Sequence, residues 1–189
     1  MRYSFIIFIF TFLLAGFLSS CDSVTSTGKT EMINHIDSIS LPSVLVLDEM
    51  QILLAEARTS INLWKHEQSG PKSRDKDVLK KSLLNNYPAL KKELLKLSAK
   101  LESGEQQQAK ILIGKIDSLW PKYSEIMNSL ITFDDYEDDQ KVFVTSDVLD
   151  EINEFQPPIE EMLRKLRASQ NEKLLQDLRT LKQGTRINL

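Results

Sequence analysis

The chain has 189 residues, with 24 basic and 27 acidic side chains and a formal net charge of −3. That length holds one domain and little more. A charge balance this mild, with both signs interspersed, excludes a nucleic-acid binder, which needs a basic face. Six Gly and six Pro in the whole chain argue against a turn-rich β protein and against a disordered one.

The first twenty residues stand apart. Arg2 is their only charge, and Ser4 to Leu18 is almost wholly apolar. A run of about fifteen residues has the length of a signal-peptide core and falls short of the ~20 needed to span a bilayer. Without this leader the chain keeps 23 basic and 27 acidic side chains, net −4. Cys21 is the single cysteine. No disulfide can form within the chain, so stability must come from packing, and the thiol is free or modified.

Leu18-Ser19-Ser20-Cys21 resembles the lipobox of bacterial lipoproteins. The resemblance implies a signal peptide over 1–20, cleavage between Ser20 and Cys21, diacylglycerol on the Cys21 thiol and acylation of the new amino group. Two or three acyl chains hold a protein firmly where one binds only marginally. The competing reading is an uncleaved anchor, or an ordinary signal with an incidental cysteine. Asp22 stands where an aspartate accompanies inner-membrane retention in some double-membraned bacteria. The expected location is the cell envelope, on the inner or outer membrane, with the body facing the periplasm or exterior.

Residues 21–41 are Ser/Thr-rich and poor in apolar side chains, which predicts a flexible tether. Met32, Ile33 and Ile36 offer an earlier start to the first helix. From Pro42 the apolar residues recur every three or four positions. The first stripe is Leu47, Met50, Leu54, Ala57, Ile61 and Trp64, ended by Gly70-Pro71. The second, over 73–101, is Leu83, Tyr87, Leu90, Leu94, Leu97 and Leu101. The third, over 105–133, is Ala109, Leu112, Ile116, Leu119, Tyr123, Ile126 and Leu130. The fourth, over 140–181, is less regular and includes Phe143, Leu149, Ile152, Phe155, Ile159, Leu163, Leu166, Leu174, Leu178 and Leu181. No segment sustains period-two alternation. These stripes predict an all-α protein: an up-down-up-down antiparallel four-helix bundle over 42–182, behind an N-terminal signal helix, with a short tail at 183–189.

Pro88, Pro121 and the pair Pro157-Pro158 fall inside the predicted helices, each with an aromatic beside it. Counted from the turns, all three lie near one height, which predicts proline-kinked helices. One reading is a curved bundle whose aromatics fill the space the kinks open. The other is a mid-height ligand pocket lined by Tyr87, Trp120 and Phe155, with Arg58 placed to meet a carboxylate.

Catalytic signatures are sparse. The two histidines are His35, in the expected tether, and His66, near a helix end. Leu63 stands where a di-iron bundle motif needs Glu, and no haem motif or phosphate loop is present. Asp134 to Asp139 has acidic oxygens for a hard cation, but without the Gly and spacing of a calcium loop it reads as a solvated turn at a helix start. The sequence thus assigns no catalytic residue, metal or cofactor.

Asn86-Tyr87-Pro88-Ala89-Leu90-Lys91-Lys92-Glu93-Leu94 and Leu130-Ile131-Thr132-Phe133-Asp134-Asp135-Tyr136 resemble stretches of the four-helix-bundle sensory module of bacterial chemoreceptors and sensor kinases. That resemblance implies a bundle over about 42–182 that binds small ligands or membrane-protein partners and forms homodimers. The chain departs from the family in having a lipobox in place of the first membrane span and no second span. The expected function is a lipid-anchored, non-enzymatic binding or signalling module. The alternative is a structural or spacer lipoprotein of the envelope.

Overall fold

The computed structural model describes residues 26–66 and 73–186. The expected signal peptide, the Ser20–Cys21 cleavage point and the Cys21 attachment site lie outside the described residues. Helix α1 spans Ser26–His35, and a π-helical turn, Ile36–Ser40, joins it to α2, Leu41–His66. Helix α3, Arg74–Lys81, passes through a second π turn, Ser82–Asn86, into α4, Tyr87–Ser98. Helix α5 is Ser103–Ser129, a 3-10 turn covers Asp134–Tyr136, and α6 is Asp139–Arg186. Among the described residues no strand is present, so the protein is all-α.

The first and third apolar stripes are buried in full, from Leu47 to Trp64 on α2 and from Ala109 to Leu130 across α5 and the residue after it. Their regular alternation of three- and four-residue steps leaves one way to hide them. On the second stripe Tyr87, Leu94 and Leu97 are buried, while Leu83 and Leu90 pack at its margin. Helix α6 departs from expectation. Phe143 is 67% exposed, Phe155 is 51% exposed, and Leu178 is also exposed. Thr145, Gln156 and Gln170 are buried instead. Both Phe155 and Gln156 keep the three-or-four step between Ile152 and Ile159. Gln156 occupies the interior because hydrogen-bond partners await it there, as described below.

The expected tether is helical from Ser26 onward. Ile36, with Met32, packs against Val44, Leu174 and Leu181 in a small apolar cluster separate from the main core. Helix α6 has 48 residues against 27 in α5, about 72 Å against about 40 Å at 1.5 Å per residue. It passes the start of α5 near Lys173, whose Nζ meets Glu102 at 2.7 Å and Glu105 at 3.0 Å. The remaining length of α6 pairs with α1 and the first π turn. A polar-looking segment is helical because α6 offers it a partner, not because its own propensity is high. Helix α6 also continues to Arg186, so the expected tail at 183–189 is helical for its first four residues.

The two π turns share a sequence setting. Each ends two residues before a proline: Ser40-Leu41-Pro42 and Asn86-Tyr87-Pro88. Leu41 N–H donates to the Ile36 carbonyl, and Tyr87 N–H to that of Ser82. A proline ring crowds the carbonyl four residues earlier, and a wider turn moves that carbonyl aside. Pro88 therefore follows a π turn, whereas Pro121 and Pro157-Pro158 sit inside α-helices.

One described helix, 27–65, is long and apolar enough to cross a membrane by length and composition, with 44% of its apolar window buried within the protein. That apolar character is the stripe of α2 that the main core covers.

Candidate functional site

Of the four residues expected to line a pocket, the structure brings two together. Tyr87 and Trp120 meet edge to face with ring centroids 5.1 Å apart, and Trp120 meets Tyr123 in the same way at 5.1 Å. This aromatic row fills the level of Pro88 and Pro121. The buried Trp120 indole N–H has no hydrogen-bond acceptor; its neighbours are the two tyrosine rings. Arg58 reaches Glu160 of α6 at 3.8 Å, so the carboxylate it meets is the protein's own. Phe155 turns outward, with Lys122 Nζ 5.5 Å above its ring.

Buried polar groups form three levels. In the middle, the Gln156 amide donates to the Leu54 carbonyl at 2.8 Å and to Glu160 Oε1 at 2.7 Å, and its oxygen accepts from the Tyr123 hydroxyl. Burial, then the Glu160 charge, pushes the Tyr123 phenol up. Nearby, Asp117 Oδ1 accepts from the Tyr87 hydroxyl at 2.7 Å, and its Oδ2 from Lys91 Nζ at 2.7 Å. Burial and the Asp117 hydrogen bond push the Tyr87 phenol well up.

At one end, Lys76 is 1% exposed. Its ammonium donates to the Leu130 carbonyl at 3.2 Å and lies 4.7 Å from the Trp64 ring and 5.3 Å from that of Tyr136. Trp64 Nε1 donates to the same carbonyl at 2.7 Å, and the Tyr136 hydroxyl donates to the Trp64 carbonyl at 2.7 Å. Burial and the Lys80 charge lower the Lys76 pKa against the opposing pull of Asp135. In the acidic loop, Asp135 accepts from Lys141, from the Thr132 N–H and hydroxyl, and from the Ile131 N–H. These donors hold its carboxyl below the usual range. Its oxygens bind the turn together, in keeping with the structural reading of that loop.

At the other end, Glu105 is buried. It accepts from Gln170 at 2.7 Å and Ser169 at 3.1 Å, and pairs with Lys173. Burial pushes its carboxyl up, but these donors outweigh burial and leave it below the usual range. Beside it lies a polar hollow of about 300 Å³, lined by His35, Ser40, Glu102, Lys173 and Asp177. Ser40 Oγ donates to Asp177 Oδ2 at 3.1 Å and lies 3.1 Å from His35 Nδ1, which is itself 3.3 Å from that carboxylate. All three groups converge on Nδ1. A hydrolytic triad needs the serine on one ring nitrogen and the acid on the other, so this trio is a tie between α1 and α6.

A groove of about 380 Å³ runs between α5 and α6. It is lined by Lys115, Ser118, Lys122, Phe155 and Pro158. This is where the exposed Phe155 and the proline pair meet solvent.

Sequence reasoning passed over Gln156, Lys76 and Glu105. Gln156 and Gln170 did carry a signal, since each sits at core spacing between apolar neighbours. Lys76 also sits at core spacing, three residues before Leu79 and seven before Leu83, but a lysine there reads as solvated until the Trp64 and Tyr136 rings are seen to cover it.

Comparison with protein-family models, curated proteins and solved structures finds no match to this chain. The structure itself is all-helical with a few long helices, compatible with a helical bundle.

Proposed function

We propose that this protein is a lipid-anchored, non-enzymatic binding module of the cell envelope. Cys21 carries the anchor. The body is an up-down-up-down antiparallel four-helix bundle bent at its prolines, facing the periplasm or exterior. Support for the anchor is the coincidence of an apolar leader, the Leu18-Ser19-Ser20-Cys21 tetrapeptide and a lone cysteine. Support for the topology is the order of cross-helix contacts. Residues rise along α2 as they fall along α6, from Asp48–Arg167 to Leu54–Gln156. They do the same between α5 and α6, from Glu105–Gln170 to Lys122–Glu151.

One observation carries the functional reading. Gln156, Lys76 and Glu105 inside the body are engaged in holding helices together, whereas Phe155 stands half-exposed in a lysine-bordered groove at the proline level. Single exposed phenylalanines are common; one set in a concave groove beside two lysines is a feature of a binding surface. A small amphiphile with an anionic group, or a membrane-protein partner, fits that chemistry. The test is photo-crosslinking in cells from a reactive amino acid at Phe155. A discrete membrane-associated adduct or a ligand-dependent thermal shift is expected. A monomer that gives neither contradicts the reading and favours the spacer alternative, for which the filled aromatic row between Tyr87 and Tyr123 already speaks.

A further inference from the structure

We infer that the α1–α6 overhang is a second membrane contact. It lies against the anionic lipid surface that holds the Cys21 anchor. The inference rests on the proposed lipid attachment. It is carried by the geometry of the overhang and by the shortness of the chain before it.

Four residues, Asp22 to Thr25, separate Cys21 from the first residue of α1, Ser26. Even a fully extended chain covers at most about 18 Å over that distance. The expected tether of some twenty residues would have let the body stand clear of the lipid. A start of helix at Ser26 removes most of that reach and keeps the beginning of α1 within about 18 Å of the lipidated cysteine.

A pair of helices cannot hide all of its apolar side chains. Met32, Ile36, Val44, Leu174 and Leu181 pack together. Ile33, Leu41, Leu45, Leu175 and Leu178 of the same paired region stay exposed. The charge at this end fits an anionic leaflet. At the tip of the overhang Lys29, Arg179 and Lys182 outnumber the one acidic side chain, Glu31; Asp37 and Asp177 lie nearer the body. Leucines beside arginine and lysine at a helix end are what an interfacial helix presents to headgroups. A second contact also fixes the orientation of the rod, which a lipid on a free chain would not.

The acyl group at Cys21 takes up the one native thiol, so Leu178→Cys gives a unique labelling site on the mature protein. Phe143→Cys, about 50 Å away along α6, is the control. The full lipidated chain carrying an environment-sensitive fluorophore is reconstituted into phosphatidylethanolamine–phosphatidylglycerol vesicles containing a bromolipid quencher. The 178 label should shift to the blue and be quenched, and the 143 label should not. Arg179→Gln with Lys182→Gln should weaken the 178 contact about thirty-fold, at about five-fold per basic side chain on an anionic surface. Circular dichroism confirms that the variants keep their helix content. Protein that floats with the vesicles while the 178 label stays unquenched overturns the contact and leaves the anchor standing. Self-quenching between 178 labels without lipid quenching assigns the face to a second copy and overturns it too. Protein that does not float, with an unmodified Cys21 thiol, removes the anchor and the inference together.

Discussion

Replacing Gln156 by Leu tests whether buried polar side chains fix the packing of α2, α5 and α6. Gln156 is 0% exposed and bonds three helices through its amide: the Tyr123 hydroxyl, the Leu54 carbonyl, and Glu160 of its own helix. Leucine fills similar space but leaves the buried Tyr123 hydroxyl without its acceptor. An unpaired buried hydroxyl costs about 1–3 kcal/mol, and each lost net hydrogen bond about 0.5–1.5 kcal/mol. Part of this is offset by the apolar surface leucine adds. The expected loss is therefore about 2–3 kcal/mol. For a body of this size that is a drop in Tm of roughly 5–10 °C. Urea unfolding followed by circular dichroism at 222 nm reads it directly. Tyr123→Phe removes the orphaned hydroxyl, so adding it to Gln156→Leu should restore at least about 1 kcal/mol relative to additivity. Stability unchanged within about 0.5 kcal/mol, or a double variant equal to the sum of the singles, would refute the role given to this network.

Other tests follow from the two ends of the body. Glu105 has a lowered pKa when folded, so the stability it contributes is present above the ordinary carboxylate range and fades as pH falls through its folded value; Glu105→Gln should lower stability at pH 7 and flatten the loss measured below pH ~4.5 in acid titrations. Lys76 has its pKa lowered by burial, so the native protein should gain stability as pH climbs from the folded value towards 10.5. Lys76→Met should abolish that gain while changing stability at neutral pH by no more than about 1 kcal/mol; a loss above about 3 kcal/mol would show that the ammonium itself holds the end together. Burial and the Asp135 charge push the Tyr136 phenol up to about 12. Since Tyr87 and Tyr123 are pushed up further still, ultraviolet titration of the native protein should show none of Tyr87, Tyr123 and Tyr136 ionising near pH 10 and all three doing so once unfolded, and Tyr136→Phe should remove the native step near pH 12.

Much of the fold was legible because two helices are simple. On α2 and α5 the apolar residues and the buried face are the same set, so counting threes and fours finds the core. On α6 the two sets overlap only in part: Leu149, Ile152, Ile159, Leu163, Leu166 and Leu174 are buried as expected. Thr145, Gln156 and Gln170 hold interior positions, and Phe143 and Phe155 lie outside. Hydropathy misses those few positions because a buried amide is held inward by its hydrogen-bond partners, which a count of apolar residues does not register. The helical start at Ser26 was hidden for a related reason. Its segment is polar, and it becomes a helix by lying along the end of α6. Of the candidate pocket, Tyr87 and Trp120 were rightly placed together, since the prolines set their height. Arg58 lies instead on Glu160 of α6, and Phe155 points outward while its neighbour Gln156 points in. Lys76 stands in register with the second stripe, one heptad before Leu83, but its charge masks that position, and its cage comes from Trp64, Leu130 and Tyr136 on three separate segments.

Intact mass spectrometry of the protein extracted from its native membranes tests the lipid anchor most directly. The account predicts a chain that begins at Cys21, has lost residues 1–20, and is heavier by a diacylglyceryl group with or without a further acyl chain. A chain that still carries Met1–Ser20, or an unmodified Cys21 thiol, would contradict it.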